Sequence, residues 1–163
     1  MRLHRSRHLA PLCLLMLSGC AAEAPESKGA AATPVLALGQ GMVAFTPLEQ
    51  DRMEIVFGPQ GGWHVEPAVR GWGLEVEGLV LGYDLVDDDG VSWVIPVEAV
   101  LSEDRVLPIE DGGWERVGDR LVLDIESAED VSGRSFTLAV RATPAGDDTF
   151  DLDTLVNLVD DTP

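Results

Sequence analysis

Ser135-Phe136-Thr137-Leu138-Ala139-Val140-Arg141-Ala142-Thr143 is the stretch that decides the fold class. Phe136, Leu138, Val140 and Ala142 alternate with Ser135, Thr137 and Arg141, the period of a strand with one buried face. A helix would gather apolar residues three and four apart into a stripe. No window beyond the N-terminal segment keeps that pattern.

The same alternation runs outward in both directions. After the polar loop Pro144-Ala145-Gly146-Asp147-Asp148, Phe150, Leu152, Val156 and Leu158 alternate with Asp151, Asp153 and Asn157. Upstream, Leu121, Leu123 and Ile125 share a face, as do Leu79, Leu81, Tyr83 and Leu85. Val91, Trp93, Ile95, Val97, Ala99 and Leu101 are expected to face inward together, opposite Ser92 and Glu98. Met53, Ile55 and Phe57 form a further inward set. Turn residues fill the gaps: Gly58-Pro59-Gln60-Gly61-Gly62, Asp87-Asp88-Asp89-Gly90, Asp111-Gly112-Gly113 and Val117-Gly118-Asp119. Pro67 and Pro96 fall inside strand patterns and predict edges or bulges. About seven to nine short strands at this spacing predict an all-β antiparallel sandwich or barrel.

Two resemblances sharpen that expectation. Ser135–Thr143, its loop and Phe150–Val159 resemble the last two strands of bacterial immunoglobulin-like domains. The resemblance implies an antiparallel immunoglobulin-like sandwich. Gly58-Pro59-Gln60-Gly61-Gly62-Trp63-His64-Val65 looks like a stretch in uncharacterised exported bacterial proteins, which implies no activity.

The N-terminus speaks to location. Arg2, Arg5 and Arg7 precede the apolar run Leu9–Leu17, which is too short to span a bilayer at about 20 residues. Leu17-Ser18-Gly19-Cys20 closes it and resembles the lipobox of bacterial lipoproteins. The resemblance implies cleavage before Cys20, a diacylglycerol on its thiol and often a further acyl group such as palmitate on its amine. Several chains anchor stably where one does not. Ala21, rather than Asp, follows Cys20, which in diderm lipoproteins implies export to the outer membrane. The expected organisation is a signal peptide over residues 1–19, a lipidated cysteine and Ala/Pro/Gly/Ser-rich tether over 20–41, and one β domain over 42–163.

Charge excludes some partners. The chain has 11 Lys and Arg against 29 Asp and Glu; residues 1–19 hold three of the basic ones and none of the acidic, leaving 8 − 29 = −21 beyond them. Such a chain is no nucleic-acid binder and does not dock on anionic lipid by charge. Once Cys13 leaves and Cys20 is acylated, no thiol remains for a disulfide, a zinc site or a nucleophile.

The candidate site residues are few. His64, the one histidine beyond the leader, follows the Gly61-Gly62 turn and shares a strand face with Glu66 and Arg70. That pattern suits a surface histidine, and more sharply a metal ligand or general base. The serines sit in no G-x-S-x-G setting, and no H-E-x-x-H or phosphate-binding glycine loop is present. Asp87, Asp88, Asp89, Asp147 and Asp148 would supply calcium ligands if their two loops met; solvated turns are the simpler reading. Trp93 is expected in the core, whereas Trp72 and Trp114, beside glycines, are expected to be the exposed pair.

These readings predict a lipid-anchored exported protein, not an enzyme, with a binding or structural role at the bacterial cell envelope. Its expected partners are the membrane, through the lipid on Cys20, and an envelope protein or glycan. The alternatives are a carbohydrate-binding module using Trp72 or Trp114 and a small hydrolase centred on His64.

Overall fold

The computed structural model describes residues 33–59, 61–146 and 148–160, which form an all-β fold with no α-helix. The leader, Cys20 and most of the expected tether lie outside the described residues. The strands are β1 (Val35–Gln40), β2 (Thr46–Pro47), β3 (Arg52–Phe57), β4 (Trp63–Val65), β5 (Pro67–Trp72), β6 (Val80–Val86), β7 (Val97–Val100), β8 (Leu107–Pro108), β9 (Trp114–Arg116), β10 (Leu121–Val122), β11 (Ser135–Thr143) and β12 (Phe150–Val159). Twelve strands exceed the seven to nine expected because β2, β8 and β10 are two-residue ladders, too short to show a period.

The strands make two sheets. One runs β2-β1-β5-β9-β8; the other runs β10-β4-β3-β12-β11-β6-β7. The larger sheet is mixed, which corrects the expectation of antiparallel pairing throughout. β12 pairs with β3 in parallel, Asn157 opposite Arg52 and Val159 opposite Glu54. The larger sheet also nearly closes into a barrel. The segment after the Asp87 turn bonds β6 on one side, Trp93 N–H to Leu85 C=O at 2.8 Å. On the other side it bonds β10, Ile95 N–H to Val122 C=O at 3.2 Å, with Val94 opposite Leu123. Closure removes the exposed edges that an open sheet would carry there.

Pro67 lies at a switch between sheets. β4 belongs to the larger sheet and β5 to the smaller, with Glu66 between them. The Glu66 carbonyl leaves the ladder and accepts Gly41 N–H at 2.8 Å. A proline is tolerated at such a strand start because no ladder bond is lost.

Alternation becomes burial where the pattern is strict. Phe136, Leu138, Val140 and Ala142 on β11 are buried against Leu79, Leu81, Tyr83 and Leu85. Met53, Ile55, Val65, Val156 and Leu158 join the same core, as do Val69 and Trp114 of the smaller sheet. The expected register of residues 91–95 is inverted. Val94 is buried, whereas Val91 and Ile95 are exposed and Trp93 is only half-buried. Trp93-Val94-Ile95 is continuously apolar and so carries no parity; the ladder with Leu123 sets it instead. The folded chain also starts before residue 42. Val35–Gln40 of the expected tether pairs along the whole of β5, and Leu36 and Leu38 pack against the core.

Buried polar groups tie elements together. The Tyr83 hydroxyl on β6 donates to Asp119 Oδ2 at 2.8 Å. Arg116 of β9 grips the same carboxylate through Nε, at 3.1 and 3.0 Å, and through Nη2. Arg70 of β5 donates to Glu115 Oε2 at 3.0 and 2.9 Å and lies over the Phe45 ring. Glu115 Oε1 then accepts Phe45 N–H at 2.9 Å, which holds the β1–β2 connection.

Candidate functional site

His64 lies on β4, between Val56 of β3 and Val122 of β10 in register. The Val94–Leu123 bridge places Ile95 beside Val122. Ile95, Val122, His64 and Val56 therefore form one row across the outer face of the larger sheet. Ile95 is 64 % exposed and Val122 46 %, yet His64 is only 6 % exposed. The expectation of a surface histidine is corrected accordingly: neighbouring strands and the Gly58–Gly62 turn cover the ring. Its Nε2 lies 3.1 Å from Glu66 Oε1, and Arg120 Nε lies 3.8 Å from the same oxygen.

A cavity of about 280 Å³ opens beside the ring, lined by Gly58, Pro59, Trp63, Arg120 and Val122. With Nε2–H donating to Glu66, Nδ1 is left as an acceptor, and it makes no hydrogen bond among the described residues. Gly58 makes room for it: a Cβ there would stand 3.5 Å from Nδ1 and 3.4 Å from Cε1. Phe57, itself exposed, meets Trp63 edge-on with ring centroids 4.9 Å apart, one register position on from the Val56–His64 pair and so of the opposite parity. The arrangement offers a carboxylate-held imidazole, a guanidinium and apolar walls. No serine, threonine or cysteine lines the cavity among the described residues.

The aspartate loops do not meet. Val86 of β6 pairs with Thr137 at the start of β11, and Val80 pairs with Thr143 at its end. The Asp87–Asp89 loop and the Asp148 loop thus leave opposite ends of one strand, about 20 Å apart at 3.3 Å per residue. Asp147 lies outside the described residues. Asp87 is spent inside its own hairpin. Its Oδ1 accepts Asp89 N–H at 3.1 Å and Val91 N–H at 2.9 Å, and its Oδ2 accepts the Trp93 indole N–H at 2.9 Å. The Trp93 bond, then the Val91 amide, hold the Asp87 carboxyl below its usual range. Asp88 and Asp89 are exposed, and no group of three metal-ligating side chains is found among the described residues.

The tryptophans are packing groups rather than an exposed pair. Trp114 is 4 % exposed and its indole N–H reaches Leu74 C=O at 3.2 Å. Gly71 and Trp114 face each other across β5 and β9, and the indole lies on the glycine backbone. Half-buried Trp72 lies likewise on Gly113, where a Cβ would meet it at 2.6 Å. The glycines that read as turns are the floors under these rings.

Comparison with protein-family models, with curated proteins and with solved structures finds no match to this chain. Three features escaped the sequence reading: the Tyr83–Asp119–Arg116 cluster, the Arg70–Glu115 clamp and the Ile95–Val122–Val56 row. Each joins residues far apart in the chain, so only strand order brings them together. The one local signal was Asp119-Arg120 behind Gly118, which marked a turn and no more.

Proposed function

We propose that this chain is a lipid-anchored exported protein whose β domain serves a non-enzymatic binding role at the bacterial cell envelope. The lipobox-like Leu17-Ser18-Gly19-Cys20 supports the location and the outer-membrane assignment. One observation carries the binding role: the domain's buried polar groups are engaged in holding the fold, while an apolar row is left facing outward. Asp119, Glu115 and Asp87 are each engaged by neighbours. Ile95 and Val122 are not covered. Apolar side chains gathered on an outer sheet face suit a protein partner better than a glycan, which asks for open aromatic rings. The immunoglobulin-like sandwich belongs to the same proposal, and two sheets around one core support it.

The test is retention of envelope proteins by the full-length chain, compared with Ile95→Lys/Val122→Lys. We expect a partner held by the wild type and lost by the double variant, with unchanged melting. Equal retention by both would remove this face from the account.

A second reading is favoured by one observation, the His64–Glu66 pair at 3.1 Å beside a cavity. A carboxylate-held imidazole whose Nδ1 meets no partner among the described residues is the geometry of a general base for water. In that reading the chain is a small hydrolase. Turnover of a simple aryl ester that disappears in His64→Gln would establish it and displace the binding role.

A further inference from the structure

Among the described residues, the larger sheet leaves one long stretch of strand edge without a ladder partner. β12 is covered on one side by β11 over Phe150–Asn157, but β3 covers its other side only at Asn157–Val159. Asn157 N–H points to that second side, where it meets Asp51 C=O at 2.6 Å. Backbone groups of the same parity, at Asp151, Asp153 and Leu155, therefore point the same way. They meet no partner among the described residues.

Among the described residues the edge has no ladder partner because the chain before β3 turns away. Glu49 C=O accepts Arg52 N–H at 3.1 Å, with Gln50 and Asp51 both left-handed at φ 54° and 59°. Two consecutive left-handed residues of this kind make a type I′ turn. The turn swings the chain off the line along which β3 would otherwise run back beside Leu155 and Asp153.

The outer face next to this edge has a definite charge. Asp153, Ala139 and Asp84 stand in one cross-strand row; Asp151, Arg141, Gly82 and Glu98 stand in the next. Gly82 and Ala139 are the small floor of a groove of about 400 Å³, and the walls carry four carboxylates against one guanidinium. That guanidinium is taken, since Arg141 Nε donates to Asp151 at 2.9 Å. Leu155, 53 % exposed, continues the edge beyond the acidic rows.

We propose that the Asp151–Leu155 edge of β12 is a strand-addition site for an extended, basic segment of a partner protein. The added strand satisfies the outward amides and carbonyls of Asp151, Asp153 and Leu155, the bonding that gives strand addition its affinity. Its lysine or arginine side chains, at alternate positions, lie opposite Asp151 and Asp153 at the rim of the acidic groove. Opposite charges directly across a strand pair stabilise it and like charges oppose it. An acidic strand is thereby excluded. This surface is separate from the His64 row and does not depend on it.

The test uses the full-length chain and a synthetic peptide of alternating lysine and valine, with alternating glutamate and valine as control. Amide hydrogen exchange is followed residue by residue. The lysine peptide is expected to slow exchange at Asp151, Asp153 and Leu155, and the glutamate peptide to leave it unchanged. Asp153→Pro removes an outward N–H while sparing the β11 ladder, a strand setting in which proline is tolerated. This variant is expected to keep its fold and lose about tenfold or more in lysine-peptide affinity. Asp151→Asn/Asp153→Asn is expected to weaken binding several-fold and to flatten its salt dependence. Unchanged exchange at the three amides would overturn the proposal. So would full affinity in a folded Asp153→Pro variant, which would reduce the edge to a charged guard against aggregation.

Discussion

Gly71 shows how much one missing methyl group can decide. A Cβ there would collide with the Trp114 ring, so Gly71→Ala must displace the indole. Overpacking of this kind costs about 1–3 kcal/mol, and Trp114→Ala, which empties the site, about 3–5 kcal/mol. Urea unfolding of the two variants checks both values, and a neutral Gly71→Ala would show that the ring does not lie on the glycine. Tyr83 offers a cleaner probe, because it is the chain's one tyrosine. Burial first, then the Asp119 charge and hydrogen bond, push its phenol well above the ordinary value. The folded state therefore holds the proton longer than the unfolded state, whose phenol titrates near pH 10. The resulting stabilisation is complete below about pH 10 and is lost as pH rises from there towards the folded value. Absorbance at alkaline pH should show no phenolate until the chain unfolds; a smooth titration near pH 10 in folded protein would contradict the buried contact. Strict alternation made Tyr83 legible as a core residue. Its partner was not legible, because Asp119 is 36 positions away and reads locally as a turn.

At the scale of elements, the segment that nearly closes the barrel is the sharpest discriminator. The continuous run Trp93-Val94-Ile95 admits either register, and the wrong one followed from extending the parity of Val97 back across Pro96. In the fold Val94 is buried and Ile95 is exposed. Val94→Asp should therefore lower the melting temperature steeply, by burying a carboxylate without a partner, whereas Ile95→Asp should change it little. The reverse order would restore the original parity and undo the closure. β11 needed no such arbitration, since polar residues separate each of its apolar ones. The acidic hairpin is an element-scale question too. Asp87 serves its own turn, and the loop holding Asp148 leaves the far end of β11. Thermal melts with millimolar calcium and with chelator, at matched ionic strength, should superimpose. A rise of several degrees that is lost in Asp88→Asn would require calcium ligands the fold does not assemble among its described residues.

For the whole molecule, the β class was legible because period-two alternation survives any strand order. The arrangement was not, because sheet membership depends on pairings such as the parallel meeting of β12 with β3, which no local pattern encodes. The domain start was misplaced for a related reason. Val35–Gln40 is preceded by small residues and Pro34, and its strand character comes from pairing with β5 rather than from its own period. The proposed attachment, by contrast, rests on four contiguous residues and one thiol. A domain carrying −21 beyond the leader has no electrostatic route to an anionic membrane, so its membrane association should depend on Cys20 alone. The decisive measurement is fatty-acid labelling and membrane fractionation of the full-length protein beside Cys20→Ser. The account predicts labelled, membrane-bound wild type and an unlabelled variant released from the membrane fraction. Membrane association that persists unchanged in Cys20→Ser would contradict it.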